Sequence, residues 1–213
     1  MGPRRQCSAG ASYRRTARGE LSLGVRGRPY WDGEVDCCIN AWTVANGVWL
    51  DMRVDELADW FVQHQLPDGG WNCEWIEGST RSSFHSTLNS LKGLLAYEIA
   101  TGGTKETCAA RRSGEEFLLQ RGLFRRLSTG EPVGPWVGRF AYPFRWRYNV
   151  LNAADYFREA SLSYGNEPDP RMADAIEMIR PLEPRMGRGS RPVANRGGYG
   201  SRSTQRRGSR RSG

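Results

Sequence analysis

The chain has 213 residues, with 31 Lys and Arg against 23 Asp and Glu and a formal net charge of +8, which leaves room for one ordinary domain with tails. The excess of positive charge lies at the ends, because positions 1–28 carry seven Arg and one acid, positions 185–213 carry nine Arg and no acid, and the segment between them has more acids than bases. This distribution excludes a basic, nucleic-acid-binding surface over the whole domain.

Residues 1–28 show neither helical nor strand periodicity, so we expect a disordered or misassigned leader there. This stretch is rich in Arg and lacks the apolar run of about 7–15 residues that marks a signal peptide, and no segment of the chain approaches the roughly 18 apolar residues of a membrane span. We therefore expect a cytoplasmic protein with reduced thiols. The five cysteines are Cys7, Cys37, Cys38, Cys73 and Cys108.

The central segment, residues 29–183, begins with two predicted helices. An apolar stripe at spacings of three and four predicts the first helix, over about 36–51. Its members are Ile39, Trp42, Ala45, Val48 and Trp49. The second helix is predicted over about 54–64, and Pro67 with the glycine pair that follows it ends that helix.

The same pattern continues along the chain. Helices are predicted over about 84–100 and 106–120, and then over about 145–162 and 170–180. The result is three helical hairpins at an uneven period of roughly 45–60 residues, which is typical of an all-α repeat array in which each hairpin buries its face against the next. From residue 184 to residue 213 the sequence is rich in Arg, Gly and Ser, a composition for which we expect disorder.

The turn after the second helix carries the motif Gln65-Leu-Pro-Asp-Gly-Gly-Trp71. It resembles the Gln/Trp repeat of squalene-hopene cyclases and related triterpene cyclases, in which the Gln caps the next helix and the Trp stacks against it. The opening of the third helix, 82–87, also looks like that family, and residues 29–183 are similar to uncharacterised prokaryotic proteins with prenyltransferase and squalene-oxidase repeats. The resemblance implies a partial barrel of the α/α-toroid type that terpenoid cyclases and protein prenyltransferases share.

Triterpene cyclases protonate their substrate with an Asp-x-Asp-Asp motif at the start of an inner helix. The equivalent place here reads Glu34-Val-Asp36-Cys37, so Asp36 matches the central acid while one flanking acid is replaced by Cys. A strongly acidic proton donor needs its neighbours to tune its pKa. The resemblance makes Asp36 the candidate catalytic acid, and the missing partner argues against olefin protonation.

The β subunits of protein prenyltransferases hold zinc with an Asp-x-Cys at the start of one inner helix and a His on a later one. By resemblance, Asp36, Cys38 and His85 are the candidate ligands, and Cys73 on the intervening loop could replace Asp36 or Cys38. Such residues are suitable zinc ligands, and three of them leave one coordination position open.

Simpler interpretations stay open for each of these residues. Cys37 and Cys38 could be small buried side chains, as free Cys often is, and His85 could be a helix-start residue bonded to the backbone. Aromatic residues could line a prenyl pocket and stabilise cations, although at helical spacing such residues more often form a core. They are Trp42, Trp49, Trp60, Trp71, Trp75, Trp136, Trp146, Tyr142, Phe144 and Tyr148.

The resemblance also implies about five to seven hairpins in a closed barrel, against the three counted here. Further copies of the chain could cover the open ends, since exposed apolar faces are costly. In a shifted reading frame the codons after Pro184 can encode Pro-Asp-Gly-Thr-Trp, which suggests a frameshifted C-terminus, and the Arg-rich leader could have a similar origin. If the tail is genuine, its Arg-Gly pairs could bind RNA.

The function expected from the sequence is therefore an isoprenoid-handling enzyme with a zinc or thiol site. Two alternatives remain: a catalytically silent repeat scaffold for protein interactions, and an RNA-binding protein that acts through its tail.

Overall fold

The structure is a computed structural model that describes residues 31, 33–34, 36–140 and 143–180. In those ranges the protein is all-α, as predicted, with six α-helices and no β-strand. The helices are α1 (Cys37–Trp49), α2 (Asp55–Gln63), α3 (Phe84–Thr101), α4 (Lys105–Leu119), α5 (Val150–Tyr164) and α6 (Ala173–Ile179). The predicted leader, 1–28, and the predicted tail, 184–213, lie outside the described residues.

The helix ends follow the local sequence. Ser83, Thr104 and Asn149 each accept a hydrogen bond from a first-turn backbone N–H and so cap α3, α4 and α5. Gly102 and Gly165 end α3 and α5 in the left-handed conformation, with φ of 89° and 66°, which glycine adopts without a steric penalty.

Helix α3 lies at the centre of the packing and contacts α1, α2, α4 and α5, while α2 also packs on α4 and α5 packs on α6. Helices α1 and α3 approach each other closely. A Cβ atom at Gly93 of α3 would lie 2.8 Å from the Cα and the carbonyl oxygen of Ala41 in α1. Two small residues therefore let the backbone of α1 approach the middle of α3 closely.

The side of α1 that faces the core differs from the predicted one. The buried residues are Cys37, Asn40, Ala41, Thr43, Val44 and Gly47. In contrast, Ile39, Trp42 and Trp49 of the predicted stripe are 45%, 48% and 82% exposed. The close contact with α3 selects small residues for the inner side of α1, so the large apolar residues lie on the outer side.

The Gln65–Trp71 segment connects α2 to α4. The Gln65 side-chain amide donates to the carbonyl oxygens of Gly69 and Ala110, each at 2.7 Å. The indole of Trp71 is 1% exposed and donates to the Phe61 carbonyl of α2 at 2.9 Å. Its ring lies where a Cβ at Gly114 of α4 would be only 2.6 Å away. Ala110 lies within α4 rather than at its start, so Gln65 joins the two helices without capping α4.

A buried charged network joins α3, α4 and α5. Arg111 of α4 donates from Nε to Glu98 of α3 at 2.8 Å and also pairs with Glu115. The hydroxyl groups of Tyr156 and Tyr164 donate to Glu115 at 2.8 Å and to Glu98 at 2.5 Å. The side chains of Arg111 and Glu98 are 4% and 0% exposed, so each charge depends on its partners for compensation.

The state of Cys108 and the search for membrane spans bear on two further predictions from the sequence. Cys108 of α4 is disulfide-bonded, so the expectation that all five cysteines are reduced is wrong for this residue. The expectation came from the absence of an apolar run within residues 1–28, and a local sequence pattern says nothing about which sulfurs meet in space. No helix in the described part of the chain combines the length and the apolar character needed to cross a bilayer.

Candidate metal centre

The start of α1 is held in place by two side chains. Asp36 is the N-cap residue, and its Oδ1 accepts from the backbone N–H groups of Cys38 at 2.8 Å and Ile39 at 3.2 Å. The amide of Asn40, fully buried, accepts from the Glu34 N–H at 2.6 Å and donates to the Glu34 carbonyl at 2.7 Å. The first turn of α1 is therefore fixed, and with it the directions of Cys37 and Cys38.

The loop that carries Cys73 follows directly after Trp71 and forms a short 3₁₀ helix, Cys73–Glu77. Asn72 caps it by accepting from the Glu74 N–H at 3.1 Å. The Cys73 N–H donates to the hydroxyl of Ser86 at 3.2 Å, which attaches the loop to the first turn of α3. The motif thus places Cys73 between the starts of α1 and α3.

Three sulfur atoms meet at this junction. The Sγ of Cys73 lies 3.3 Å from that of Cys37 and 3.3 Å from that of Cys38, and all three sulfurs are within 4.8 Å of one another. Asp36 joins the group through its Oδ1, which lies at hydrogen-bond distance, 3.0 Å, from the Cys73 Sγ. We call Asp36, Cys37, Cys38 and Cys73 the thiol cluster.

Two polar side chains of α3 support the thiol cluster. The Ser86 hydroxyl donates to the Cys73 Sγ at 3.3 Å, and the Asn89 amide contacts the Cys38 Sγ at 3.5 Å. Asn89 also donates to the carbonyl oxygens of His85 at 2.9 Å and Trp146 at 3.0 Å. Such outer partners orient metal ligands in known sites.

The hydrogen bonds within the cluster separate the pKa values of its thiols. The pKa of Cys73 is lowered, because Cys37 and Cys38 can both donate to its thiolate. The pKa of Cys37 is raised by its hydrogen bonds to Cys38 and Cys73 and by burial. The hydrogen bond with Cys37 lowers the pKa of Cys38, but the bond with Cys73 and burial outweigh it and raise that pKa to about 12. Burial also raises the pKa of Asp36. The arrangement therefore favours one thiolate, on Cys73.

A cavity of about 820 Å³ opens beside the cluster. Its wall includes Asp36, Cys38 and Cys73 together with Arg145 and large apolar side chains, which are Ile39, Trp42 and Trp146. Cavities that bind small molecules commonly combine an apolar lining with a few polar groups.

His85 lines the same cavity but lies apart from the sulfur atoms. Its ring packs among three aromatic residues, with centroids 4.7 Å from Trp136, 5.7 Å from Trp146 and 6.1 Å from Tyr148. Burial lowers the pKa of this imidazole, so its neutral form, which can accept a proton or bind a metal, is favoured at neutral pH.

Of the residues selected from the sequence, the structure brings together Asp36, Cys38 and Cys73. It adds Cys37, for which the sequence also allows a small buried side chain, and it places His85 on the cavity wall. Sequence reasoning missed Ser86 and Asn89 as supporting residues, although Asn89 lies one helical turn after His85.

Of the aromatic residues that could line a prenyl pocket, Trp42 and Trp146 line this cavity. Trp71 and Tyr148 are instead buried in the core, and Trp49 is exposed. Tyr142 lies outside the described residues.

The donor set suits a soft or borderline metal ion, because thiolates favour Zn²⁺ and Cu⁺. Tetrahedral zinc with Zn–S bonds of about 2.3 Å keeps two sulfurs about 3.8 Å apart. The observed separations of 3.3 Å therefore need an expansion of roughly 0.5 Å, which a side-chain rotation on the Cys73 loop can supply. The cluster could hold a metal ion through three sulfurs, with an oxygen of Asp36 beside them.

A second cavity, of about 870 Å³, lies between α4 and the α5–α6 region, and its wall includes Arg111, Glu115 and Tyr164. These charged and polar groups bond to one another or to Glu98, so they are already engaged within the protein.

Comparison of the chain with protein-family models, with curated proteins and with solved structures finds no match.

Proposed function

We propose that this chain is an isoprenoid-handling enzyme of the prenyltransferase type, built as part of an α/α toroid, and that its thiol cluster holds zinc. The observation that carries the proposal is the position of two sulfurs and a carboxylate on the wall of a cavity with large apolar side chains, with the third sulfur, that of Cys37, next to them. A metal site and a lipid-sized pocket at the same place are what the transfer of an isoprenoid group to a thiol requires.

The zinc ligands in this proposal are Cys37, Cys38 and Cys73, with Asp36 at the fourth position or next to it. A zinc ion bound there would keep a coordinated thiol of the substrate deprotonated at neutral pH, and so supply a nucleophile. The fourth position decides the class of site, since zinc with one exchangeable ligand is typical of catalysis and a closed set of four is typical of structural sites.

The remaining residues of the cavity would bind and orient the isoprenoid. Ile39, Trp42 and Trp146 offer apolar surface for the chain, and the two indole faces can stabilise positive charge that develops at the reacting carbon. His85, neutral and packed against Trp146, could accept a proton at the edge of the pocket.

Prenyl transfer is favoured over olefin protonation by the role of Asp36 in α1. The Oδ1 of Asp36 accepts from two backbone N–H groups as the cap of α1, so this oxygen holds the start of the helix instead of facing an olefin. The cluster also places thiols, rather than further carboxylic acids, next to Asp36.

Metal analysis of the purified full-length chain tests the zinc proposal. We expect about one zinc per chain in the wild type and loss of zinc in Cys38→Ala. His85→Ala should retain the metal, because His85 lies outside the sulfur group. Absence of stoichiometric zinc in a folded wild-type protein would refute the proposal.

Binding of farnesyl diphosphate to the cavity, measured by titration calorimetry, tests the pocket. Trp42→Ala should weaken binding, and Trp49→Ala, an exposed tryptophan on the same helix that does not line the cavity, is the matched control. Equal affinity in both variants would contradict the assignment of the pocket.

A repeat scaffold without catalysis is the second candidate, favoured by the exposed apolar side of α1. It predicts a folded chain that binds neither zinc nor farnesyl diphosphate, and the same two experiments distinguish it.

A further inference from the structure

Two of the three sulfurs in the thiol cluster are close enough to bond to each other after a small movement. The Sγ atoms of Cys38 and Cys73 are 3.3 Å apart, and a disulfide needs about 2.05 Å, so they must approach by roughly 1.2 Å. Cys38 is fixed in the first turn of α1, while Cys73 lies on a 3₁₀ loop. The loop residue is the one that can move.

Cys37 is at the same distance from Cys73, but its environment is different. Cys38 and Cys73 are half-buried and line the cavity. Cys37 is 1% exposed and does not line it. A small oxidant that enters the cavity therefore meets Cys38 and Cys73 first, and the water formed in the reaction can leave by the same route.

We propose that Cys38 and Cys73 are an oxidation site at which a peroxide converts two thiols into a disulfide. The sulfur of Cys73 attacks a peroxide oxygen, the O–O bond breaks, and a sulfenic acid forms with release of one water or alcohol. The sulfur of Cys38 then attacks the sulfenic sulfur, the S–O bond breaks, and a second molecule of water leaves with the thiol proton. Two electrons pass from the sulfurs to the peroxide, and a thiol reductant reverses the change.

This disulfide would act as a switch on the site. It removes two of the three sulfur donors, so the oxidised chain cannot hold a metal with the same ligand set. That consequence rests on the function proposed above, whereas formation of the disulfide does not.

The experiment uses the full-length chain, purified under reducing conditions and divided into zinc-loaded and chelator-treated samples. Each is exposed to hydrogen peroxide, alkylated, digested without reduction and mapped by mass spectrometry. We expect a peptide containing Cys38 linked to the peptide containing Cys73, a loss of two alkylatable thiols per chain, and recovery of both thiols with dithiothreitol. Separate sulfinic acids without a cross-link would overturn the proposal.

Because Cys37 and Cys38 share a peptide, two variants identify the partner of Cys73. Cys37→Ser should keep the cross-link and Cys38→Ser should lose it, and the reverse result would overturn the assignment. Zinc release is measured in parallel with a chromogenic chelator. A chain that forms the disulfide but never binds zinc refutes only the proposed function, and a chain that binds zinc but forms no disulfide refutes only this inference.

Discussion

Replacing Trp71 by Ala tests whether the Gln65–Trp71 segment holds α2 and α4 together. The substitution removes a fully buried indole, its hydrogen bond to the Phe61 carbonyl, and the ring that fills the space over Gly114. Truncation of a buried Trp in a close-packed core costs about 3–5 kcal/mol, because the lost burial is combined with a cavity. The carbonyl of Phe61, at the end of α2, also loses its indole donor.

The assay is urea unfolding monitored by far-ultraviolet circular dichroism, a signal that does not depend on tryptophan emission. The matched control is Trp49→Ala, since Trp49 is 82% exposed at the end of α1. We expect the control to change the free energy of unfolding by no more than about 0.5 kcal/mol. A loss below about 1 kcal/mol in Trp71→Ala, or equal losses in the two variants, would refute the role assigned to Trp71.

Two other substitutions test the packing around α3. Gly93→Leu should destabilise the protein by roughly 3 kcal/mol, the upper range for overpacking, because the new side chain meets the backbone of α1. The control Ile99→Ala, on the exposed end of the same helix, should cost less than about 1 kcal/mol. Similar unfolding midpoints in the two variants would contradict this expectation. Arg111→Met leaves the buried carboxylate of Glu98 without its cation and should cost about 3–5 kcal/mol. Arg171→Met removes two solvent-accessible ion pairs, with Glu116 and Asp169, and should cost less than about 1 kcal/mol. Thermal melts of both variants would reveal any reversal of this order.

Most of the helices could be predicted from the sequence, because their caps and terminators are local signals. The first four predicted helices begin and end within two residues of those observed. The fifth was predicted from about residue 145 but begins at Val150, since Asn149 caps it and Arg145 has a positive φ of 50°. The apolar pattern continues before Asn149, so periodicity alone does not locate the first residue of α5.

The buried side of α1 was harder to predict, for a physical reason. Apolar side chains occur all around this helix, so periodicity alone does not say which side contacts α3. The choice depends on the close approach of Ala41 to Gly93, a tertiary contact between residues far apart in the sequence. As a result, Trp42 was grouped with a core stripe although it lies on the cavity wall.

The candidate site was predicted in part. The resemblance to protein prenyltransferases points to Asp36 and Cys38 at the start of α1 and to Cys73 on the loop after the motif, and the structure brings these three side chains together. The convergence of Cys37 with them depends on the phase of the first turn of α1, which the Asp36 cap sets. The separation of His85 from the sulfurs depends on its packing against Trp136, 51 residues further along the chain, and no local pattern reports it.

X-ray absorption at the zinc edge of the purified, reduced protein tests the central claim most directly. The thiol cluster predicts a first shell of about three sulfur ligands near 2.3 Å with one lighter atom near 2.0 Å, and loss of one sulfur from that shell in Cys73→Ser. A shell made only of nitrogen and oxygen, or a sulfur count unchanged in Cys73→Ser, would contradict the assignment of this cluster as the metal centre.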